Sequence, residues 1–253
     1  MPQVPRRSTQ DFPPPLPLLR RPFTISLQVS DHFPSIFNEV IGPVMRGPSS
    51  SHCAAALRIG KLARDLAGGD LEEVKVSFDS AGALATTHES QGSDMGLFAG
   101  LLGWEADDER VMDSPKAIRE NGTRVSVQIN DYNDSHPNVY RLTLERAGNS
   151  HHLTAASEGG GMIELTEIDG AEVSIEGFFY ETHLCLDSGA SYLATDLDRV
   201  FIDDSIRVCK GNLAHFVEVK ALDFLISDKV ASLPCRHLVT SVNFLSAVLP
   251  ILS

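Results

Sequence analysis

The stretch GPSSSHCAAALRIGKLARDLAGG, Gly47 to Gly69, reads as one complete helix with its start and stop signals attached. Ala55, Ala56, Ile59, Leu62, Ala63 and Leu66 recur at helical spacing, and Gly68-Gly69 ends the run. At the front, Ser49, Ser50 and Ser51 follow a Gly-Pro pair. Serine is a favoured N-cap, and the first turn of a helix carries backbone N–H groups that have no partner within the helix. Three hydroxyls beside those donors and the positive end of the helix dipole make a place for a carboxylate or phosphate, and Arg46 adds charge. The plainer alternative is one capping serine and two solvated ones. His52 lies in the same turn, where an imidazole can act as a general base or serve structure alone.

Outward from this helix the pattern alternates between strands and helices. Val74 to Phe78 alternates as a strand, and Gly92 to Gly103 reads as a buried helix through Met95, Leu97, Phe98, Leu101 and Leu102. A β-rich stretch follows: Val125 to Ile129, Tyr140 to Leu144, Leu153 to Ser157 and Met162 to Ile168. Asn149-Ser150 reads as a hairpin turn, and Gly159-Gly160-Gly161 as a backbone-permissive break. From about Phe178 the order becomes strand (180–186), helix (191–200), a hairpin of 206–209 and 216–219 around Lys210-Gly211-Asn212, helix (222–232) and strand (238–244). That β-α-β-β-α-β order is ferredoxin-like, the order of small regulatory domains. The expected organisation is a Pro-rich tail over 1–30, a first domain over 31–177 that opens with a short apolar run at 35–44, and a second domain over 178–253.

Composition bounds the function. The chain has 253 residues, 42% apolar and 22% charged, as in a globular protein. Its net charge of -13 argues against nucleic acid, which needs a basic surface, and against an anionic membrane. No apolar run approaches the roughly 20 residues of a membrane helix. Residues 1–22 hold four arginines, seven prolines and one acid. That is Arg-rich and acid-poor like a transit peptide, but the prolines break an amphipathic helix and favour a tail without structure. Cys53, Cys185, Cys209 and Cys235 are far apart and form no C-x-x-C pair. They suit reduced thiols in a cytoplasmic protein better than a zinc ribbon or an iron–sulfur set.

Two further polar clusters stand out. His136-Pro137-Asn138 falls in a loop between predicted strands, where proline stiffens the chain and Asn offers donor and acceptor; a plain turn is the alternative. Thr86 to Asp94 is polar and leads into the second helix, so that Gly92 with Ser93 or Asp94 starts it and His88 lies close by; an ordinary capped loop is the alternative. His52, His88 and His136 do not show metal-ligand spacing, and no metal site is expected.

Taken together, SIFNEVIGPVMRGPSSSH (Ser35 to His52), HESQGSDMGLFAGLLGW (His88 to Trp104), HPN (His136 to Asn138) and GGGMIELTEIDG (Gly159 to Gly170) resemble the β chain, or N-terminal half, of iron–sulfur-dependent L-serine dehydratases (L-serine ammonia-lyases). The resemblance covers about residues 33–187. It implies an α+β fold like the allosteric substrate-binding domain of some phosphoglycerate dehydrogenases. It implies a reaction in which L-serine loses water and then ammonia to give pyruvate. It also implies a [4Fe–4S] cluster whose cysteines belong to a separate α half. The C-terminal quarter resembles an ACT-like regulatory domain through its element order alone. ACT-like domains commonly pair, so a homodimer through the β or ACT-like domain is expected. Two departures are visible: Cys53 follows the histidine where many members have threonine, and Gln91-Gly92-Ser93-Asp94 stands where many have Gly-His-Gly-Thr-Asp.

On this reading His52, His136 and Asn138 are candidate catalytic residues. Ser49, Ser50, Ser51, Arg46, His88, Ser93 and Asp94 are candidate substrate ligands. A purely regulatory serine-binding module and a free-standing small-molecule binder remain the alternatives.

Overall fold

The computed structural model describes residues 46–186, 205–210, 215–221 and 239–249. Helix α1 (Ser50–Ala67) runs between the predicted signals: Ser49 is its N-cap, and Gly68 closes it at φ 75° with bonds back to Arg64 and Asp65. An alanine-rich run with few β-branched residues favours this helix, and a left-handed closing residue is natural for glycine. Strand β1 (Glu73–Asp79) follows, then a four-residue turn α2 (Leu84–Thr87), helix α3 (Ser93–Leu101), a 3-10 turn (Glu109–Asp113) and α4 (Ser114–Glu120). Strands β2 (Arg124–Asn130), β3 (Val139–Arg146), β4 (Asn149–Gly159), β5 (Met162–Ile168) and β6 (Ala171–Ile175) complete a six-stranded sheet of order β2-β1-β3-β4-β5-β6. Only β1 and β2 pair in parallel, because the helices between them form the crossover; the other neighbours are antiparallel. The architecture is α+β with a mixed sheet.

The strand periodicity explains the core. Val74, Val76 and Phe78 alternate inward on β1, and Tyr140, Leu142 and Leu144 do so on β3. They meet Ala55, Ile59, Leu62 and Leu66 of α1. Truncating a leucine such as Leu62 to alanine in a core of this kind costs about 2–5 kcal/mol.

Helices α1 and α3 touch backbone to backbone. A Cβ on Gly96 would strike the Cys53 carbonyl, one on Gly100 the Leu57 carbonyl, and one on Gly60 the Leu97 carbonyl. The register 53–96 and 57–100 makes the two helices parallel, so both N-termini emerge side by side. The backbone N–H of Ser49 bonds the Gln91 carbonyl at 3.3 Å there.

Strands β7 (Tyr180–Leu186), β8 (Ser205–Lys210), β9 (His215–Ala221) and β10 (Val239–Leu245) form a second sheet of order β10-β7-β9-β8, antiparallel throughout. Leu245 joins the core of the first sheet. The Ser246 N–H bonds the Asp65 carboxylate at 2.8 Å, and the Val248 and Leu249 N–H groups bond the Gly177 carbonyl.

One local expectation is corrected. The β3–β4 turn is not Asn149-Ser150 but Ala147 (φ 50°) and Gly148 (φ 80°), closed by the Arg146–Asn149 pair. Two left-handed residues match the twist of the strands, and Gly148 takes that conformation without strain. The predicted tail, the 35–44 run, the helices at 191–200 and 222–232 and Gly211-Asn212 lie outside the described residues. Among the described residues no helix is long and apolar enough to cross a membrane.

Candidate functional site

The opening turn of α1 is exposed to half-buried from Arg46 to His52, and burial begins at Cys53. Ser49 stands at the N-cap, but its hydroxyl makes no cap hydrogen bond. It lies 2.8 Å from His52 Nδ1 instead. The first bond of the helix runs from Cys53 N–H to the Ser49 carbonyl. The N–H groups of Ser50, Ser51 and His52 therefore have no partner within the helix. Ser50 is exposed and Ser51 half-buried in the same turn. Arg46 is turned elsewhere: its Nε donates to the Asp107 carbonyl at 2.7 Å, and its guanidinium pairs loosely with Glu109.

Beside it opens α3. Its N-cap Gly92 is left-handed (φ 81°), and the first turn holds Ser93 and Asp94. Cys53, a free thiol, donates to the Gly92 carbonyl at 3.2 Å and ties the two helix starts together; burial pushes its pKa up. His88 Nδ1 lies 2.8 Å from an Asp94 carboxylate oxygen. Burial raises the Asp94 pKa, and the imidazole opposes that shift. His88 also packs on Phe78 at 5.2 Å, and Phe78 meets the ring of Tyr140 edge-on. The fully buried Ser93 hydroxyl neighbours the Tyr140 phenol, whose pKa burial drives upward.

The loop after β2 brings His136, Pro137 and Asn138 to the same end of the sheet. The Pro137 carbonyl accepts from Ala83 N–H at 2.8 Å, just before α2. The backbone N–H of Asn138, not its amide, donates to His136 Nδ1 at 3.2 Å. That places the imidazole proton on Nε2, which faces Glu158 Oε1 at 3.8 Å. The Asn138 side-chain oxygen is buried without a partner.

Sequence reasoning missed the anchor of this loop. Asp79 ends β1, and its carboxylate accepts from the N–H groups of Asp134 (2.6 Å), Ala81 (3.2 Å) and Tyr132 (3.4 Å). These bonds, led by that of Asp134, hold its pKa below the usual carboxylate value. Arg141 pairs with Asp134 and lies over the Tyr132 ring at 4.2 Å. An acid straight after the alternating run 74–78 was the available signal.

The three imidazoles do not gather into a metal set. Among the described residues, His88, Glu89 and Asp94 are the group whose ligand atoms lie within 4.8 Å of one another. Cys53, in α1, and Cys185, in β7, are reduced thiols. A cavity of about 390 Å³ lies at the far end of α1, bounded by Arg64, Asp65, Gly68, Gly69, Asn243, Phe244 and Ser246. That is a helix length, roughly 25 Å, from Ser49 to His52, and no imidazole lines it.

Arg58 is a second feature that the pattern did not reveal. It is 4% exposed on the sheet side of α1, and its guanidinium donates to the Gly161 carbonyl. Burial lowers its pKa to about 10, so it stays charged at neutral pH. Desolvating such an ion costs several kcal/mol, and a hydrogen bond to a charged group returns about 1.5–3 kcal/mol.

The fold is an α+β chain in which the starts of α1 and α3 lie side by side, with Ser49 turned onto His52 and His88 onto Asp94. The chain is similar to L-serine dehydratase beta chains. A probable L-serine dehydratase beta chain of Bacillus subtilis (strain 168) is 39% identical over 143 residues, which cover 56% of this chain and 64% of that protein. The L-serine dehydratase beta chain of Peptoniphilus asaccharolyticus is 31% identical over 141 residues, covering 55% and 63%. The chain thus spans just under two thirds of the length of these relatives. No family model matches it.

Proposed function

We propose that the chain is the β half of an L-serine dehydratase, deaminating L-serine to pyruvate and ammonia together with an α half that carries the [4Fe–4S] cluster. The single observation that carries this reading is the uncapped start of α1. A serine hydroxyl that should cap the helix is turned onto an imidazole, and three N–H groups stay open beside it. A carboxylate satisfies those donors and the dipole together.

Serine elimination removes the Cα proton and the Cβ hydroxyl as water. The resulting enamine tautomerises to an imine, and water hydrolyses it to pyruvate and ammonium. This chain supplies the carboxylate grip through Ser49, Ser50 and Ser51 and a base through His52. When His52 Nδ1–H donates to the Ser49 oxygen, Nε2 carries the free lone pair and takes the proton. His136 has the opposite tautomer, so it orients or donates rather than abstracts. Ser93, Asp94 and His88 build the adjoining wall. The group that receives the hydroxyl lies outside this chain.

The order β10-β7-β9-β8 is that of a ferredoxin-like sheet and supports an ACT-like regulatory domain behind the first, with the boundary near residue 178. We assign the working form to the cytoplasm, and pairing of two copies to either domain. The test is anaerobic serine-to-pyruvate turnover of the purified chain with and without its α half. Turnover that needs both halves is expected. An α half that turns over serine equally well alone would leave this chain a regulatory module.

A further inference from the structure

Arg58 lies seven residues after Ser51, two turns along the same face of α1. Helix side chains lean toward the N-terminus, so a long one at this position reaches back toward the opening turn. Its head meets the turn between β4 and β5, where Gly161 accepts one of its five N–H donors. Among the described residues no carboxylate pairs with it and no further hydrogen bond takes up the other donors. It is nevertheless almost wholly out of water, at 4% exposure.

The strand ends beside this turn carry acceptors. Glu158 stands just before the triglycine turn and faces His136. The Ser157 N–H bonds the Asn138 backbone carbonyl at 3.0 Å, which sets Asn138 beside the same turn. The Asn138 side-chain oxygen is a buried acceptor with no donor. A fixed cation thus meets the β4–β5 turn from the helix side, and the buried Asn138 oxygen and the exposed Glu158 carboxylate belong to the strand ends beside that turn.

We propose that Arg58 is the carboxylate-recognising residue for an α-amino-acid zwitterion held between α1 and the β4–β5 turn, with Asn138 and Glu158 on its ammonium. This rests on the serine reading above and deepens it. The hydroxyls and N–H groups of the opening turn orient the carboxylate, and Arg58 supplies the full countercharge. A planar guanidinium matches a carboxylate in a way that a lone ammonium does not. Burial preserves the strength of the pairing and lets the site discriminate against a neutral amide. A guanidinium that only tethers the triglycine turn would not depend on the ligand's charge.

The test is calorimetric titration of the full chain with L-serine and with L-serinamide, in wild type, Arg58→Gln and Arg58→Lys. Wild type is expected to prefer serine over serinamide by at least about 30-fold. Arg58→Gln is expected to bring the two ligands within threefold, and Arg58→Lys to restore part of the gap. The wild-type Arg58 Nε–H resonance is expected to shift on addition of serine and to stay still with serinamide, a readout that stands even if Arg58→Gln does not fold. A serine preference retained in Arg58→Gln, or an unmoved Arg58 resonance in a chain that binds serine, overturns the role of Arg58 alone. A wild-type chain that binds neither ligand overturns this proposal together with the serine reading.

Discussion

The two ends of α1 are built to opposite rules. At the C-terminus the carbonyls of Arg64, Asp65 and Ala67 find donors. Gly68 and Gly69 bond back to Asp65 and Arg64, and Arg146 donates to the Ala67 and Asp70 carbonyls. Arg64 pairs with Asp70, and the Asp65 carboxylate takes the Ser246 N–H. At the N-terminus the capping hydroxyl is turned onto His52, no acid stands in the first turn, and the backbone donors stay open. One helix carries both ends, so propensity and burial do not explain the contrast. The closed end serves stability; on the proposed reading, the open end leaves its donors for a carboxylate.

The largest effect is expected where the two helix starts are locked together. Gly96→Val drives a side chain into the Cys53 carbonyl and is expected to cost at least about 3 kcal/mol. Thermal unfolding checks this, and an unchanged melting temperature would break the backbone-to-backbone packing of α1 and α3. Next comes His52→Ala. Loss of a general base is expected to slow serine turnover of the two-half assembly by about 10²–10⁴-fold, with the melting temperature barely moved.

At the closed end, Gly68→Ala places a side chain in a left-handed position and is expected to cost about 1–2 kcal/mol, with no change in serine affinity. At the open end, Ser49→Ala inverts that pattern. Removing a capping serine usually costs about 1 kcal/mol. Here the hydroxyl caps nothing, so the expected loss is under about 0.5 kcal/mol, while turnover falls. Chemical denaturation together with pyruvate assay separates the two outcomes.

The smallest effect concerns pH. The folded Asp79 carboxyl has a depressed pKa, so its support of the 131–138 loop is present above its unfolded value, near 3.8, and is lost as pH falls through the lower folded value. Protection of the loop amides, taken relative to their intrinsic exchange rate at each pH, is expected to be flat above about pH 5 and to fall below about pH 4.

The sequence was most readable where one signal dominates. Alanine-rich spacing with glycine behind it placed α1, and simple alternation placed β1 to β5 within a few residues. The hairpin turn was misplaced by two residues because Asn and Ser are good turn formers, yet twist required left-handed backbone at Ala147 and Gly148. Long-range features were out of reach. Nothing in local spacing joins Asp79 to Asp134 and Arg141, or tells that Arg58, in a helix with other cations, is the one the sheet covers. The serine turn was visible as a motif. That Ser49 forgoes its cap for His52 is a rotamer, and only side-chain coordinates show it.

The most direct measurement is the backbone amide spectrum of the ¹⁵N-labelled full chain titrated with L-serine. Saturable shifts at Ser50, Ser51 and His52, with Gly68 and Gly69 unmoved, are predicted. Shifts confined to the cavity around Arg64, Asp65 and Ser246, with the opening turn of α1 silent, would contradict the account.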